Sequence, residues 1–130
     1  SKVLEVIVMN IEKMVEIGLL FEQYKELLTE KQREMVSLYY EEDYSLGEIS
    51  ENLGVSRQGV YDTLKRSEKI LREYENKLHL VAKLKEQEKF LKSIREKVVD
   101  IKEDLLHNRD CANLIPKLEN IEEICRELLK

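Results

Sequence analysis

The chain has 130 residues, of which 38% are charged, and it carries a formal net charge of −5 at pH 7. This length supports one domain, or one small domain with an appendage, around a modest core. The apolar start of the chain is broken by Glu5, Glu12 and Glu16, so the sequence predicts a cytoplasmic protein that does not enter a membrane. Because the sequence does not begin with Met, Met9 is a candidate natural start.

One proline and four glycines leave few breaks, and the sequence predicts helices throughout. The first helix is expected from about Val3 to Leu28, with an apolar stripe wide enough to need more than one neighbour. The expected stripe consists of Leu4, Ile7, Val8, Ile11, Met14, Val15, Gly18, Leu19, Phe21 and Leu28. A capping box of Thr29 and Gln32 then opens a second helix, which ends at the acidic segment 41–43. Its expected core side chains are Met35, Val36, Leu38 and Tyr39.

The segment after residue 44 has the form of a helix-turn-helix. Ser45 and Glu48 have capping-box spacing, and Gly54 supplies the positive φ that ends a short helix in a tight turn. Val55 plugs the turn, and Ser56 is suited to cap the next helix. The short helix is expected to turn Leu46, Ile49 and Leu53 inward, with Ser50 small enough for a close crossing.

The second helix of this pair has an apolar face and a polar, basic face. The inward stripe is Val60, Leu64, Ser67 and Leu71. The opposite face carries Gln58, Asp62, Lys65 and Lys69, flanked by Arg57, Tyr61 and Arg66. A recognition helix presents its N-terminal part to the major groove, which predicts a nucleic-acid-binding face.

Side-chain chemistry divides that face into roles. The candidates for reading base edges are Arg57, Gln58 and Tyr61, and those for phosphate contact are Ser56, Lys65, Arg66 and Lys69. Asp62 can accept a hydrogen bond from cytosine N4 but is otherwise repelled by the phosphate backbone. The alternative is an ordinary helical corner with a solvated basic face. Caps, a small crossing residue, a glycine and a plug at the right offsets favour the helix-turn-helix.

Charge argues against strong DNA binding by a single chain. Residues 1–76 hold ten Lys and Arg against sixteen Asp and Glu, whereas residues 57–72 alone hold five basic and two acidic groups. Phosphate neutralisation supplies much of the affinity for DNA, so a small basic patch on an acidic body implies weak binding by a monomer. The same surface can instead bind protein.

After Asn76 the apolar pattern changes to a seven-residue period. Leu84, Leu91, Val98 and Leu105 form this seam, with Leu80, Ile94 and Ile101 in the second heptad position and Gln87 as a polar interruption. The expected helix runs from about Leu78 to Leu106 and is followed by a polar connector, residues 107–110. A last helix, capped by Asn113 and carrying Leu114, Leu118, Ile121, Cys125 and Leu128 inward, is expected to fold back on it.

No group of residues has the spacing of a catalytic or metal site. His79 and His107 are isolated, and Cys111 and Cys125 have no partner at metal-ligand spacing. The cysteines are expected to be small buried hydrophobic residues. We therefore predict neither an enzyme nor a cofactor.

One long segment carries a family resemblance. Residues Thr29–Leu71 resemble the DNA-reading region 4 of bacterial sigma factors, and about Met9–Leu80 resembles the YlxM-like family of small bacterial helix-turn-helix proteins. The closer match is carried almost without interruption by GLLFEQYKELLTEKQREMVSLYYEEDYSLGEISENLGVSRQGVYDTLKRSEKILREYENKL, residues Gly18–Leu78. The resemblance implies a cytoplasmic regulatory protein associated with the signal recognition particle pathway, and it supplies no catalytic residue.

The sequence thus predicts an all-α protein in two parts. Residues 1–76 are expected to form a sigma-region-4-like helix-turn-helix domain with an N-terminal helix, and residues 77–130 a long-helix hairpin with heptad spacing. The predicted function is regulatory binding of DNA or RNA, and the alternative is an adaptor that binds a signal recognition particle, polymerase or ribosome component. The apolar surface of the first helix and of the seam predicts a homodimer, unless intramolecular packing covers it.

Overall fold

A computed structural model describes residues 2–107 and 111–130. These residues form α-helices and short 3₁₀ or π turns, with no strand among them, which confirms the all-α class. The α-helices are α1 (Lys2–Tyr24), α2 (Glu30–Val36), α3 (Leu46–Leu53), α4 (Arg57–Leu78), α5 (Leu80–Leu106) and α6 (Leu114–Leu128). The chain divides into two compact units, Ser1–Val81 and Ala82–Lys130.

The first unit is built around α4, which contacts each of α1, α2 and α3. The predicted inward stripe of α4 is confirmed, because Val60, Leu64, Ser67 and Leu71 are all buried. The core combines that stripe with buried apolar residues of α1, α2 and α3, with Leu28 between α1 and α2, and with Val81 at the start of α5. Its other members are Ile17, Leu20, Phe21, Tyr24, Leu28, Met35, Val36, Ile49 and Val81.

The expected stripe of the first helix is covered only in part within this chain. Only the C-terminal end of α1 is buried, through Ile17, Leu20, Phe21 and Tyr24. The apolar side chains left exposed are Val3, Leu4, Val6, Ile7, Val8, Met9, Ile11, Val15 and Leu19. The helix also ends at Tyr24, earlier than predicted, and a 3₁₀ turn, Lys25–Leu27, leads to Leu28. Periodicity shows which side chains are apolar, not which neighbour covers them, and the exposed half is the surface for which the sequence predicted a further neighbour.

The second helix opens at the predicted capping box and ends in a widened turn. Thr29 Oγ1 accepts from the Gln32 N–H, and the Gln32 side chain accepts from the Thr29 N–H. After Val36 the chain forms a π turn, Ser37–Glu41, in which the Glu42 N–H donates to the Ser37 carbonyl. This turn leaves Leu38, Tyr39 and Tyr40 in succession partly buried against the core.

Helix α4 extends past the predicted domain boundary, which lies after residue 76. It ends at Leu78, and His79 separates it from α5. The break is left-handed, with φ 55° at His79, and α5 begins at Leu80 rather than Leu78. Tyr24 and Glu75 hold the break: the Tyr24 hydroxyl donates to Glu75 Oε1 at 2.5 Å and accepts from the Leu80 N–H at 3.2 Å. Glu75 Oε1 also accepts from the Val81 N–H. Two side chains thereby satisfy the otherwise unpaired N–H groups at the start of α5.

In the second unit, α6 folds back along α5, as predicted. Lys117 Nζ lies 3.0 Å from Asp104 Oδ2, and a shallow cavity lies between residues 83–90 of α5 and residues 127–130 of α6. Of the predicted seam, the row Leu84, Leu91, Val98 and Leu105 is exposed, whereas Ile94 and Ile101 of the second heptad position are half-buried. The half-buried positions of α5 are Phe90, Ser93, Ile94, Lys97, Ile101 and Asp104. The heptad row is therefore a second exposed apolar face, and the hairpin closes on a neighbouring stripe.

Three further expectations about the C-terminal part change. Cys111 is exposed and Cys125 half-buried, so the prediction of two buried cysteines is wrong. Leu118 is exposed, whereas Lys117 and Ile124, which lie outside the predicted inward stripe, are half-buried. Asn113 precedes α6 but makes no side-chain cap, because it closes a 3₁₀ turn in helical conformation. Of the predicted connector, residues 108–110 lie outside the described residues.

Candidate nucleic-acid interface

The first helix of the pair, α3, has both predicted end signals. Ser45 Oγ accepts from the Glu48 N–H at 3.1 Å, and the Glu48 carboxylate accepts from the Ser45 N–H at 3.3 Å. At the other end Gly54 has φ 67° and ψ 32°, and its N–H donates to the Ser50 carbonyl. These local bonds fix the start and the end of α3 without help from the rest of the chain.

The turn between α3 and α4 is held by two serines. The Ser50 hydroxyl donates to the Val55 carbonyl, so the small crossing residue also anchors the plug of the turn. Ser56 has extended backbone, and its Oγ accepts from the Gly59 N–H at 3.0 Å. A Cβ at Gly59 would lie 3.1 Å from that Oγ, so the cap and the glycine fit each other closely. The sequence-predicted turn and cap are confirmed.

All predicted recognition residues lie on the exposed side of α4 or at its cap. The exposed set is Ser56, Arg57, Gln58, Tyr61, Asp62, Lys65, Arg66 and Lys69. They follow one another along the first three to four turns of a helix whose opposite side is the core. The structure therefore brings the predicted residues together on one surface, although their contacts divide them into distinct groups.

Gln58 and Asp62 form one such group. Gln58 Nε2 donates to Asp62 Oδ1 at 2.9 Å, one helical turn further along α4. Gln58 retains its second amide hydrogen and its carbonyl oxygen, which are the donor and acceptor used to pair with adenine. Asp62 thus has a use other than contact with cytosine: it orients the neighbouring amide.

Lys65 belongs to a second group, which points back toward the core. Its Nζ lies 3.5 Å from Glu68 Oε2 and 5.5 Å from the centre of the Tyr61 ring. Both contacts attract the ammonium, one as an ion pair and the other as a cation–π interaction. Lys65 was predicted to contact phosphate, and in this conformation part of its charge is compensated within the protein.

Glu68 is the main feature of this surface that the sequence analysis missed. The residue is only 4% exposed, and it accepts a hydrogen bond from the Tyr40 hydroxyl of the π turn. Lys13 of α1 places its Nζ 3.3 Å from Glu68 Oε2, the same oxygen that Lys65 approaches. Burial and the bond to Glu68 raise the pKa of Tyr40 well above its ordinary value.

A sequence signal for Glu68 did exist. It lies four residues after Leu64 and three before Leu71, which is the spacing of an inward position. A buried carboxylate requires partners, and the partners are distant in sequence: Tyr40 is 28 residues away, and Lys13 further still. Periodicity indicates the burial but not the residues that compensate the charge.

Arg57 lies across the beginning of α3. A Cβ built on Gly47 would be 3.0 Å from Arg57 Nη2. The guanidinium of the recognition helix therefore rests on a glycine of the preceding helix. Glycine at position 47 gives Arg57 room to lie there, beside the N-terminus of α3.

Ion pairs reduce the charge available on α4. Arg72 Nε lies 3.4 Å from Glu16 Oε1 of α1, and Lys65 is paired as described.

Within the described ranges, 2–107 and 111–130, no cluster of His, Cys, Asp and Glu can hold a metal ion. In the same ranges, no helix has both the length and the apolar character that crossing a membrane requires.

The capped α3–α4 pair, with its glycine turn and exposed polar face, defines a helix-turn-helix protein. A family model described as "Putative helix-turn-helix protein, YlxM / p13 like" matches residues 11–110, and the chain belongs to this family. It is 46% identical over 115 residues to a UPF0122 protein of Limosilactobacillus reuteri, covering 88% of this chain and 99% of the relative. A UPF0122 protein of Bacillus pumilus is 44% identical over 114 residues, covering 88% and 100%. A third, from Streptococcus gordonii, is 52% identical over 89 residues, covering 68% and 81%.

Proposed function

We propose that this protein is a non-enzymatic, cytoplasmic regulator that binds DNA through α4. The observation that carries the proposal is the exposed group Arg57, Gln58 and Tyr61 at the N-terminal end of a capped helix that follows a helix-turn-helix turn. In such a pair the second helix enters the major groove with these first residues against base edges. Family membership supports the same class of function.

In this proposal the exposed side chains of α4 have two roles, reading base edges and contacting phosphate. Gln58, held by Asp62, and Arg57 read base edges, whereas Arg66 and Lys69 contact phosphate. Lys65 contributes to phosphate binding only when its ammonium turns from Glu68 toward the nucleic acid. A patch of this size, on a unit rich in acidic residues, binds DNA weakly on its own.

A homodimer would overcome that weakness. Two recognition helices about 34 Å apart can read two half-sites, which roughly doubles the phosphate contacts. Two exposed apolar surfaces are available for self-association: the row Leu84, Leu91, Val98 and Leu105 of α5, and the N-terminal half of α1. Contiguous exposed apolar surface of this kind is typical of protein interfaces.

The same two surfaces favour a second candidate function, a protein adaptor. In that case the heptad row of α5 would bind a helix of a partner protein rather than a second copy. The family resemblance implies a signal recognition particle component as such a partner, and polymerase or ribosome components are the alternatives. RNA in place of DNA is a further outcome of the test below.

Binding measured as a function of salt tests the proposal. Fluorescence anisotropy with duplexes selected from a random DNA library should give a dissociation constant whose logarithm rises linearly with the logarithm of salt, by about 0.9 for each phosphate contacted. Structured RNA is measured in parallel. The triple variant Arg57→Ala/Gln58→Ala/Tyr61→Ala should lose selection for the duplex, while Lys31→Ala, on an exposed part of α2, should not. A selection that enriches no sequence, with no salt-dependent binding of DNA or RNA, would refute the proposal and leave the adaptor.

A further inference from the structure

A cavity that the proposed function does not use lies beside the recognition helix. A cavity of about 290 Å³ opens where α1, the π turn, α3 and α4 meet within the first unit. Its apolar and aromatic wall is formed by Met14, Tyr39, Leu46 and Tyr61. Its polar side is formed by Lys13, Lys65 and Glu68, the ion cluster described above.

The charges in this cavity do not balance. Two ammonium groups, those of Lys13 and Lys65, lie within 3.5 Å of a single oxygen of Glu68. The Tyr40 hydroxyl takes the other carboxylate oxygen. The nearby Lys65 ammonium, together with burial, lowers the pKa of Lys13. Glu68 compensates one of the two positive charges, and a second anion beside the lysines would compensate the other.

We propose that the cavity binds a small aromatic monocarboxylate. The carboxylate would pair with the Lys13 and Lys65 ammonium groups, and the ring would lie against Tyr39, Met14 and Leu46. The volume is near the lower limit of ligand sites, about 300 Å³, so it suits one or two fused rings. The single surplus positive charge suits a monoanion.

Occupation of the cavity would affect the recognition surface, because Tyr61 and Lys65 belong to both. A carboxylate bound to Lys65 holds that ammonium away from phosphate and fixes the Tyr61 ring beside it. The acid would therefore weaken nucleic-acid binding. This consequence rests on the proposed function, whereas binding of the acid does not, and the two are measured separately.

The binding itself is tested on the protein alone. Benzoate and indole-3-carboxylate are titrated into ¹⁵N-labelled full-length chain, with benzamide as the uncharged equivalent of benzoate and inorganic phosphate as a non-aromatic anion. We expect saturable shifts confined to amides of the cavity elements, with a dissociation constant of about 1 mM or below. Benzamide and phosphate should each bind at least about tenfold more weakly than benzoate.

Substitutions in the cavity test whether benzoate binds there. Lys13→Met removes one ammonium and should weaken benzoate binding at least about tenfold, while the matched variant Lys31→Met on α2 should leave it unchanged. Leu46→Trp places a larger side chain in the cavity from α3 and leaves both lysines in the sequence. It should abolish binding, which keeps the test decisive if Lys13→Met is unstable. Equal binding of benzamide, equal binding of phosphate, or full binding to the filled variant would each overturn the proposal.

The coupling to nucleic acid is tested afterwards, with the selected duplex. Saturating benzoate should weaken its binding by wild type but not by Leu46→Trp. If the duplex binds and benzoate shifts no cavity amide, only the ligand proposal fails; if benzoate binds and no nucleic acid does, only the proposed function fails.

Discussion

Gln58 and Asp62 are joined by a hydrogen bond of 2.9 Å on the exposed face of α4. An acidic residue on a surface that faces phosphate lowers the affinity for every DNA sequence. It can nevertheless raise selectivity if it fixes the amide that reads a base. The two effects have opposite signs, so they can be separated by substitution.

Asp62→Ala should therefore bind random duplexes more tightly and the selected duplex less selectively. We expect the ratio of the two affinities to fall by about tenfold, because an unfixed Gln58 pairs less well with its base. Asp62→Asn keeps an acceptor for the amide and should retain the selectivity. Glu73→Ala removes the same charge from a later exposed position of α4 and should change affinity alone. An unchanged ratio in Asp62→Ala would show that Gln58 does not read a base.

Base and phosphate contacts should differ in their response to salt. Arg57→Ala should cost about 1–3 kcal/mol with the selected duplex and relax its sequence preference. Lys69→Ala should weaken all duplexes alike and lower the salt slope by about one. Lys69 is a better phosphate probe than Lys65, because Lys65→Ala also removes a partner of buried Glu68. Anisotropy at several salt concentrations distinguishes the two, and wild-type behaviour of both variants would contradict the recognition-helix assignment.

Gly54 and Gly18 form a matched pair for testing the turn. A Cβ at either position meets nothing within 4 Å, but only Gly54 has a positive φ. Gly54→Ala should lower the free energy of unfolding by about 1–2 kcal/mol through backbone strain alone. Gly18→Ala, within α1, should leave it unchanged or raise it by up to about 1 kcal/mol. Urea denaturation measures both, and equal stabilities would contradict the left-handed turn.

Tyr40 makes the stability sensitive to alkaline pH. The pKa of its hydroxyl is raised by burial and by Glu68, whereas in the unfolded chain it ionises near pH 10. Below pH 10 the hydroxyl is protonated in both states, so the bond to Glu68 contributes fully to stability. Above about pH 10 the unfolded chain loses the Tyr40 proton while the folded chain keeps it, and this ionisation favours the unfolded state. Tyr40→Phe should lower stability at neutral pH by about 1–3 kcal/mol, and its deficit against wild type should shrink above about pH 10. Tyr44→Phe controls for the loss of a tyrosine hydroxyl, and a deficit for Tyr40→Phe that stays constant with pH would contradict the linkage.

The homodimer is tested by mass in solution. Sedimentation equilibrium at micromolar concentration should give twice the 15.5 kDa of one chain. Leu91→Glu on α5 and Val8→Glu on α1 each place a charge at an exposed apolar position, so they should spare the fold and lower the association only where that helix forms the interface. A wild-type mass near 15.5 kDa at every concentration would reject the dimer.

Local signals explain what could be predicted from the sequence. The capping boxes at Thr29 and Ser45 and the turn glycine Gly54 act within a few residues, so their spacing alone placed α2, α3 and the start of α4. The break at His79 could not be found in this way, since its stabilising partner Tyr24 lies more than fifty residues earlier. Periodicity likewise identified the apolar row at Leu91 but not whether α6 or solvent would face it.

The π turn at 37–41 has a consequence for the alignment of residues across the first unit. A π turn is equivalent to one additional residue within an α-helix, so its own side chains are displaced around the helix axis relative to an uninterrupted α-helix. Removing a single residue there would restore ordinary helical winding and turn the ring of Tyr40 away from Glu68. Homologous chains that lack the extra residue of the π turn should therefore also lack an acidic residue at the position of Glu68. We expect the insertion in the turn and the buried carboxylate of α4 to occur in the same homologues.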